Sequence, residues 1–295
     1  MAGFHVIAGS SETLEHINVR KIGISDLMDA LKRGIDDFMV KPSHVVFLAL
    51  IYPVIGVLLA AWTSGSENAL PLLFPLVSGF ALIGPFAAIG LYEISRRREA
   101  GLDTSWSHAF EVKDSPALPS IAAVGFMLVV IFVAWLMVAQ ALYVQMFGPQ
   151  IPTSLSGFVG EILASERGWL LIVLGHAIGF VFAAIVLCTT VVAFPLLLDR
   201  DVGAYEAIHT SFRAVAVNPI PMAIWGLIVA VLLIIGSLPL FAGLAVVLPV
   251  LGHATWHLYR KVVEPAPAGK PVRAKSSASK AQPGKKRGPR ASATQ

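Results

Sequence analysis

The feature that most constrains this chain is a series of five long apolar blocks. They cover residues 44–63, 70–92, 117–147, 169–198 and 220–259. A helix of about 20 apolar residues spans the hydrocarbon core of a bilayer, and the last block is long enough for two crossings. The sequence therefore predicts an all-α integral membrane protein. Its six transmembrane helices are expected at about 44–63, 70–92, 119–147, 169–198, 219–236 and 239–259.

The composition indicates that lipid, and not water, surrounds these blocks. The chain is 56% hydrophobic and 14% charged, with a mean hydropathy of +0.75. Residues 70–92 and 169–198 contain no charged side chain, and a buried helix of a soluble protein is rarely so long and so uniformly apolar. The single cysteine, Cys188, cannot form an intramolecular disulfide or a cysteine-based metal site.

The basic residues predict the orientation of the chain. With six crossings and a cytoplasmic N-terminus, 21 of the 22 Lys and Arg residues lie on the cytoplasmic side and only Arg167 lies outside. This asymmetry satisfies the positive-inside rule. It also favours a hairpin in the last block over one kinked helix, and residues 236–239 supply a tight turn for it. We therefore predict that both termini are cytoplasmic.

Two polar segments have helical periodicity but cannot span a membrane. In residues 25–40, and again in residues 205–215, apolar side chains recur on one face and polar side chains on the other. Asp37 falls on the predicted charged face of the first helix. The two segments share a spacing of 12 residues between an alanine and a proline, in Ala30–Pro42 and Ala207–Pro219.

We interpret both segments as amphipathic helices on the inner membrane surface. A weaker third copy precedes Pro119, so the chain is predicted to contain three parallel repeats, each a surface helix followed by a transmembrane hairpin. Unrelated hairpins of similar composition are the alternative.

The predicted membrane domain, 24–263, lies between two polar segments. Residues 1–23 form a polar N-terminal segment, and residues 264–295 read as a disordered basic tail. The tail is expected to be solvated and to reinforce the orientation, with contact to anionic lipid as the alternative. Nucleic acid is not an expected partner because no aromatic residue interleaves with the basic cluster. The outer loop 148–168 is expected to contain a short interfacial helix.

Polar stretches close the second, fourth and sixth predicted spans. They are GLYEISRRRE at 90–99, LDRDV at 198–202 and LPVLGHATWHLYR at 248–260. Together they resemble a bacterial family of predicted integral membrane proteins without an assigned function, some members of which are labelled as cytochrome c oxidase subunits. The resemblance covers about 22–263. It implies a bacterial inner-membrane protein and brings no catalytic residues with it.

His253 and His257 are the candidate cofactor-binding residues. They are four residues apart in a predicted helix and therefore share a face. Such a pair could bind a metal, and a single histidine could be a haem ligand. The nearest further ligands by depth are His44 and Glu93. The interpretation that we favour is a pair of interfacial histidines in an aromatic belt, so no cofactor or metal is expected.

His176 and Gln140 form a candidate polar site inside the membrane. An intramembrane ionisable group is a functional candidate, but interhelical hydrogen bonding is the interpretation that we favour, and it extends to Thr189 and Thr190. A catalytic oxidase subunit needs several deep histidines in different helices, whereas only His176 lies well inside a predicted span. The catalytic oxidase interpretation is therefore rejected, and an accessory role is left open.

The sequence predicts a non-enzymatic structural or accessory membrane factor. No enzyme motif is present, and no carboxylate is predicted deep in the membrane, which counts against ion-coupled transport. One alternative is a transporter or channel for a neutral or amphipathic solute. The other is a haem- or metal-binding accessory of a respiratory oxidase. The expected partners are the bilayer and a membrane protein or a second copy of this chain.

Overall fold

The computed structural model describes residues 17–43, 75–76, 84–105, 108, 115–149 and 155–265. In these ranges the regular structure is helical, apart from one isolated β-bridge. The helices are α1 (Ile24–Val40), α2 (Gly84–Ala87), α3 (Ile89–Glu99), α4 (Leu118–Phe147), α5 (Leu155–Ala164), α6 (Glu166–Thr190), α7 (Ala193–Asp199), α8 (Gly203–Val217), α9 (Pro219–Ser237) and α10 (Leu244–Val262). The all-α prediction is therefore confirmed for the described chain.

Three helical segments are long and apolar enough to cross a bilayer. They are α4, the segment Glu166–Asp199 that joins α6 and α7, and α9, with 30, 34 and 19 residues. In the most apolar part of each, only 28%, 6% and 17% of the residues are buried inside the protein. The remaining side chains are not buried by the part of the chain that the structure describes. These segments match the third, fourth and fifth predicted spans.

The first two predicted spans lie wholly or partly outside the described residues. The first, 44–63, lies outside the described residues, and the second, 70–92, is described only in part. Six crossings therefore remain a prediction.

The short helix expected in the outer loop is present as α5. Ser165 caps the following helix, α6, by accepting a hydrogen bond from the backbone N–H of Gly168 at 3.0 Å.

Two helices joined by a turn are present in the last block, with bounds that differ from those predicted, and two crossings there remain a prediction. α9 ends at Ser237, residues 238–243 form turns, and α10 begins at Leu244 instead of at 239. A Cβ atom on Gly243 would lie 2.8 Å from the carbonyl oxygen of Gly236, so the two helix ends meet at backbone distance. α10 is not among the three apolar segments above, because its C-terminal half carries histidine, arginine and lysine.

The first predicted amphipathic helix is α1, and it has three faces instead of two. Leu27, Ala30 and Gly34 are buried, whereas Met28 and Ile35 are exposed. The buried face packs along α10 so closely that a Cβ atom on Gly34 would lie 2.6 Å from the backbone nitrogen of α10 at Ala254. The charged side chains occupy the third face. The apolar face predicted as one surface is therefore divided between protein and surroundings.

The second predicted amphipathic helix, α8, repeats this division. When Ala207 is aligned with Ala30 of α1, small residues of α8 are again buried at equivalent positions, and large apolar residues are again exposed. The buried residues are Ala204, Ala207 and Ser211, and the exposed ones are Tyr205 and Phe212. α8 packs on α6 and α7. The match in burial supports a common structural unit for these two helices.

The segment before α1 is tied to the end of α10 and to the junction of α8 and α9. Val19 forms an antiparallel β-bridge with Val263. The buried side chain of Asn218 donates from Nδ2 to the carbonyl of Arg20 at 3.0 Å and accepts at Oδ1 from the backbone N–H of Ile22 at 2.8 Å. These bonds satisfy backbone groups of a segment that has no regular structure of its own.

The largest side chains of the core lie beneath these joined helix ends. Phe194 of α7, Met222 and Trp225 of α9, and Trp256 and Tyr259 of α10 are almost completely buried. They belong to one continuous apolar cluster that also includes residues of α1, α4 and α8. The best-packed part of the described molecule is therefore at one end of the helices, where the polar groups described next are also found.

Candidate functional site

Asp37, in the last turn of α1, is the centre of a polar cluster formed by three helices. Only 5% of the residue is exposed. Ser95 of α3 donates its hydroxyl to Oδ2 at 2.5 Å, and Nε2 of His257 on α10 lies 2.9 Å from the same oxygen. The guanidinium group of Arg98, also on α3, pairs with Oδ1. One carboxylate therefore holds α1, α3 and α10 together.

His253 extends this cluster into the interior. Its side chain is completely buried, and Nδ1 lies 2.8 Å from the Ser95 hydroxyl oxygen and 3.9 Å from Oδ2 of Asp37. Because the hydroxyl hydrogen of Ser95 is donated to Asp37, the hydroxyl oxygen accepts from Nδ1 of His253. Nε2 has no partner with hydrogen-bonding geometry within the described part of the chain. His253, Ser95 and Asp37 therefore form a chain of two hydrogen bonds in which each group donates to the next and Asp37 is the final acceptor.

The ionisation of Asp37 follows from two opposing effects. Burial by itself would raise the pKa of the carboxyl group, because desolvation disfavours the charged form. The hydrogen bonds from His257 and Ser95, together with the charges of the nearby imidazoles, outweigh burial and hold the pKa below its ordinary value. Asp37 is therefore a carboxylate at neutral pH, and its negative charge is compensated from two neighbouring helices.

A second polar cluster joins α3, α7 and α10. Tyr259 donates its hydroxyl to Asp199 at 2.6 Å, and Trp256 donates its indole N–H to Glu99 at 3.1 Å. Arg260 lies between the two carboxylates, with Nε 3.1 Å from Glu99 and Nη1 3.6 Å from Asp199. Each of these two carboxylates is thus bound to α10 through both an aromatic donor and Arg260.

Lys261 makes a third connection, between α10 and the charged face of α1. Its Nζ lies 3.1 Å from Asp26 and 2.9 Å from Asp29. The bond to Asp29 is the main reason why the pKa of Lys261 is raised, with burial acting in the opposite direction. The pairs are partly exposed, so each contributes less than a buried pair would.

The structure places the predicted histidine pair together but does not add the other predicted ligands. His253 and His257 share a face of α10, and both approach Asp37. Glu93 is instead held by Arg96 through two hydrogen bonds of 2.8 Å, and His44 lies outside the described residues. No group of three or more histidine, cysteine, aspartate or glutamate side chains in the described ranges has an arrangement that could hold a metal ion.

The predicted intramembrane pair lies on two helices that pack against each other, α4 and α6. Nδ1 of His176 is 2.7 Å from the carbonyl oxygen of Ile172, one turn earlier in the same helix. Oε1 of Gln140 is buried and has no hydrogen-bond partner within the described ranges. The hydroxyls of Thr189 and Thr190 bond to carbonyls of their own helix, so the interhelical bonds expected for them are not formed by these contacts.

The principal residue that sequence reasoning misplaced is Asp37. The prediction that Asp37 lies on the charged face of α1 is wrong, because the side chain is buried against α3 and α10. A signal was present: Asp37 follows Ala30 and Gly34 at intervals of seven and three residues, in phase with the buried face. A carboxylate at such a position implies that cations or donors lie opposite it.

The three stretches that carry the family resemblance converge on these clusters. Ser95, Arg98 and Glu99 come from the first stretch, Asp199 from the second, and His253 to Arg260 from the third. Their separation in sequence therefore disappears in the fold, where they join the same helix ends.

Comparison with known proteins supports the family resemblance seen in the sequence. No curated protein and no solved structure matches the chain. Residues 72–199 match a family model described as "Predicted integral membrane protein (DUF2189)". This matched range includes the stretch 90–99 and the start of the stretch 198–202. The resemblance is thereby confirmed over residues 72–199, which carry the signature of a family of predicted integral membrane proteins whose description names no activity.

Proposed function

We propose that the protein is a non-enzymatic structural or accessory factor of the bacterial inner membrane. The observation that carries this proposal is the pairing of the carboxylates in the two polar clusters at the helix ends. The carboxylates of Asp37, Glu99 and Asp199 are each bound by donors from a neighbouring helix. Carboxylates that are paired in this way join helices to one another, whereas a catalytic group must be able to reach its substrate.

The composition of the apolar segments also supports this proposal over transport. α4 and α9 contain no charged residue, and in Glu166–Asp199 the charged residues lie at the two ends. Ion-coupled carriers place a charged or strongly polar group near the middle of the membrane. Within the described spans, polar binding capacity is limited to groups such as Gln140 and His176.

We further propose that both termini are cytoplasmic, on the basis of the distribution of Lys and Arg. The polar clusters and the amphipathic helices α1 and α8 then face the cytoplasm. Fusion of alkaline phosphatase or a fluorescent protein to either end tests this orientation. Fluorescence without phosphatase activity is expected at both ends. Phosphatase activity at either end would overturn the orientation.

The accessory role is tested by comparing inner-membrane complexes on native gels with and without the gene. We expect the amount or migration of at least one complex to change in the deletion strain. The wild-type chain should restore it, and the Asp37→Ala variant should not, although both should reach the membrane. An unchanged set of complexes in the deletion strain would contradict the proposal.

Two measurements on the purified protein address the alternatives. In proteoliposomes, permeation of glycerol and glucose should equal that of protein-free vesicles. Saturable uptake that is reduced by Gln140→Ala would instead establish a transporter. The absorption spectrum and metal content should show no bound chromophore or stoichiometric metal. A Soret band that disappears in the His253→Ala/His257→Ala variant would instead establish a haem-binding accessory.

A further inference from the structure

An open polar cleft lies beside Asp37, bordered by α1, the end of α3 and α10. Its volume is about 420 Å³, and three cationic side chains, four anionic side chains and His257 line it. With charges so nearly balanced, the cleft has no strong field of either sign. A purely anionic or purely cationic ligand would gain attraction from one set of side chains and lose it to the other.

Two of the charged side chains that line the cleft have no bonding partner among the described residues. Lys32 and Asp36 are exposed and lie about one turn apart on α1, and neither side chain forms an ion pair or hydrogen bond with any described residue. The other carboxylates are bound: Asp29 pairs with Arg33, for example. Among the described residues, Lys32 and Asp36 therefore provide a cation and an anion that are free to bind a ligand.

Arg98 adds further donors on the same side. Its pairing with Asp37 uses Nη1, and a guanidinium group has five N–H donors. The side chain is 37% exposed, so other N–H groups can reach a ligand in the cleft. Because guanidinium and ammonium groups both bind phosphate oxygens well, Arg98 and Lys32 together suit a phosphate, and Asp36 suits an ammonium group.

An apolar surface adjoins these charges. Met28, Ile35 and Met39 of α1 are 52%, 44% and 68% exposed. Lys32 is four residues from Met28 and three from Ile35, so it stands at the edge of this apolar stripe. A ligand that fills the cleft with its polar end can therefore lay hydrocarbon along α1.

We propose that the cleft binds the head group of a zwitterionic phospholipid. The phosphate lies at Lys32 and Arg98, the ammonium group lies at Asp36, and the acyl chains follow the stripe of Met28, Ile35 and Met39. This inference does not depend on the accessory role proposed above, because a transporter could hold the same lipid.

The test measures lipid binding to the full-length protein in detergent after removal of lipid. Dioleoyl phosphatidylethanolamine, dioleoyl phosphatidylglycerol and water-soluble phosphoethanolamine are titrated in turn, and bound molecules are counted by native mass spectrometry. We expect the ethanolamine lipid to bind at a single saturable site and at least about tenfold more tightly than the glycerol lipid. Equal or tighter binding of the glycerol lipid would overturn the proposal. If phosphoethanolamine binds as tightly as the lipid, the cleft is instead a site for a soluble zwitterion, and the lipid proposal is refuted.

Variants locate the bound lipid. Lys32→Gln/Asp36→Asn removes both free charges, and the Kd for the ethanolamine lipid should rise about tenfold or more. Lys21→Gln/Glu161→Gln, which also removes one charge of each sign from exposed residues outside the cleft, should leave the Kd unchanged. Because Lys32 and Asp36 have no partner among the described residues, the fold should be retained, and circular dichroism checks this. An unchanged Kd in the cleft variant would refute the site.

Discussion

Replacing Asp37 by alanine tests whether the polar cluster holds the helix ends together. The substitution removes the acceptor for Ser95 and His257 and the partner of Arg98. Breaking a buried ion pair costs about 3–5 kcal/mol, and each lost hydrogen bond costs about 1 kcal/mol. The ion-pair share must be reduced, because the Arg98 side chain is 37% exposed and water can solvate it in the variant. We expect a total loss of about 3 kcal/mol.

The assay is thermal unfolding of the full-length protein in lipid-free detergent, followed by tryptophan fluorescence, to which the buried residues Trp225 and Trp256 contribute. A loss of about 3 kcal/mol corresponds to a fall in Tm of about 6–12 °C. The matched control is Asp36→Ala, which removes from the preceding position an exposed carboxylate that has no partner in the described chain and should change stability by less than about 0.5 kcal/mol. Equal Tm values for the two variants would refute the reasoning.

Three further predictions follow from the same contacts. Gly34→Ala places a Cβ atom 2.6 Å from the backbone nitrogen of Ala254. It should cost about 2 kcal/mol in the melting assay, whereas Gly160→Ala, whose Cβ meets nothing within 4 Å, should not. Asn218→Ala frees the segment before α1, and limited proteolysis should cut residues 17–23 faster; equal cleavage rates would contradict this role. The pKa of Asp37 is lowered, so its stabilisation is complete above the ordinary aspartate pKa of about 3.9 and is lost as pH falls through the lowered value. The Tm difference between wild type and Asp37→Ala should therefore shrink only below about pH 4, and a decrease between about pH 7 and pH 5 would argue against this assignment.

Periodicity and length predicted those elements whose character is local. The amphipathic segment 25–40 agrees with α1 to within one residue, and the third, fourth and fifth predicted spans correspond to α4, α6–α7 and α9. The bounds of α10 were less accurate. Hydropathy continues through residues 238–243, so it cannot show that the backbone turns there, with positive φ at Leu240 and Phe241.

The candidate site was predictable only where its residues share one helix. His253 and His257 are four residues apart, and helical geometry alone places them on one face. Their partner Asp37 is 220 residues from His257 in the sequence. A periodicity argument assigns a carboxylate to the polar face because it does not include donors from distant helices. The energetic cost of burying Asp37 is offset only by those donors, so its position depends on the tertiary fold.

The β-bridge between Val19 and Val263 also imposes a parity rule on the membrane topology. Residues paired through their backbones lie on the same side of the bilayer, so the chain between them must cross an even number of times. α4, α6–α7 and α9 are the three described segments long and apolar enough to cross, an odd number, so the rule requires at least one more crossing, for which α10, which leads from the turn to the bridge, is the candidate. Crossings elsewhere must then come in pairs. Removal of one crossing would place Val19 and Val263 on opposite sides of the bilayer and break the bridge. Removal of a complete hairpin would leave the two residues on the same side.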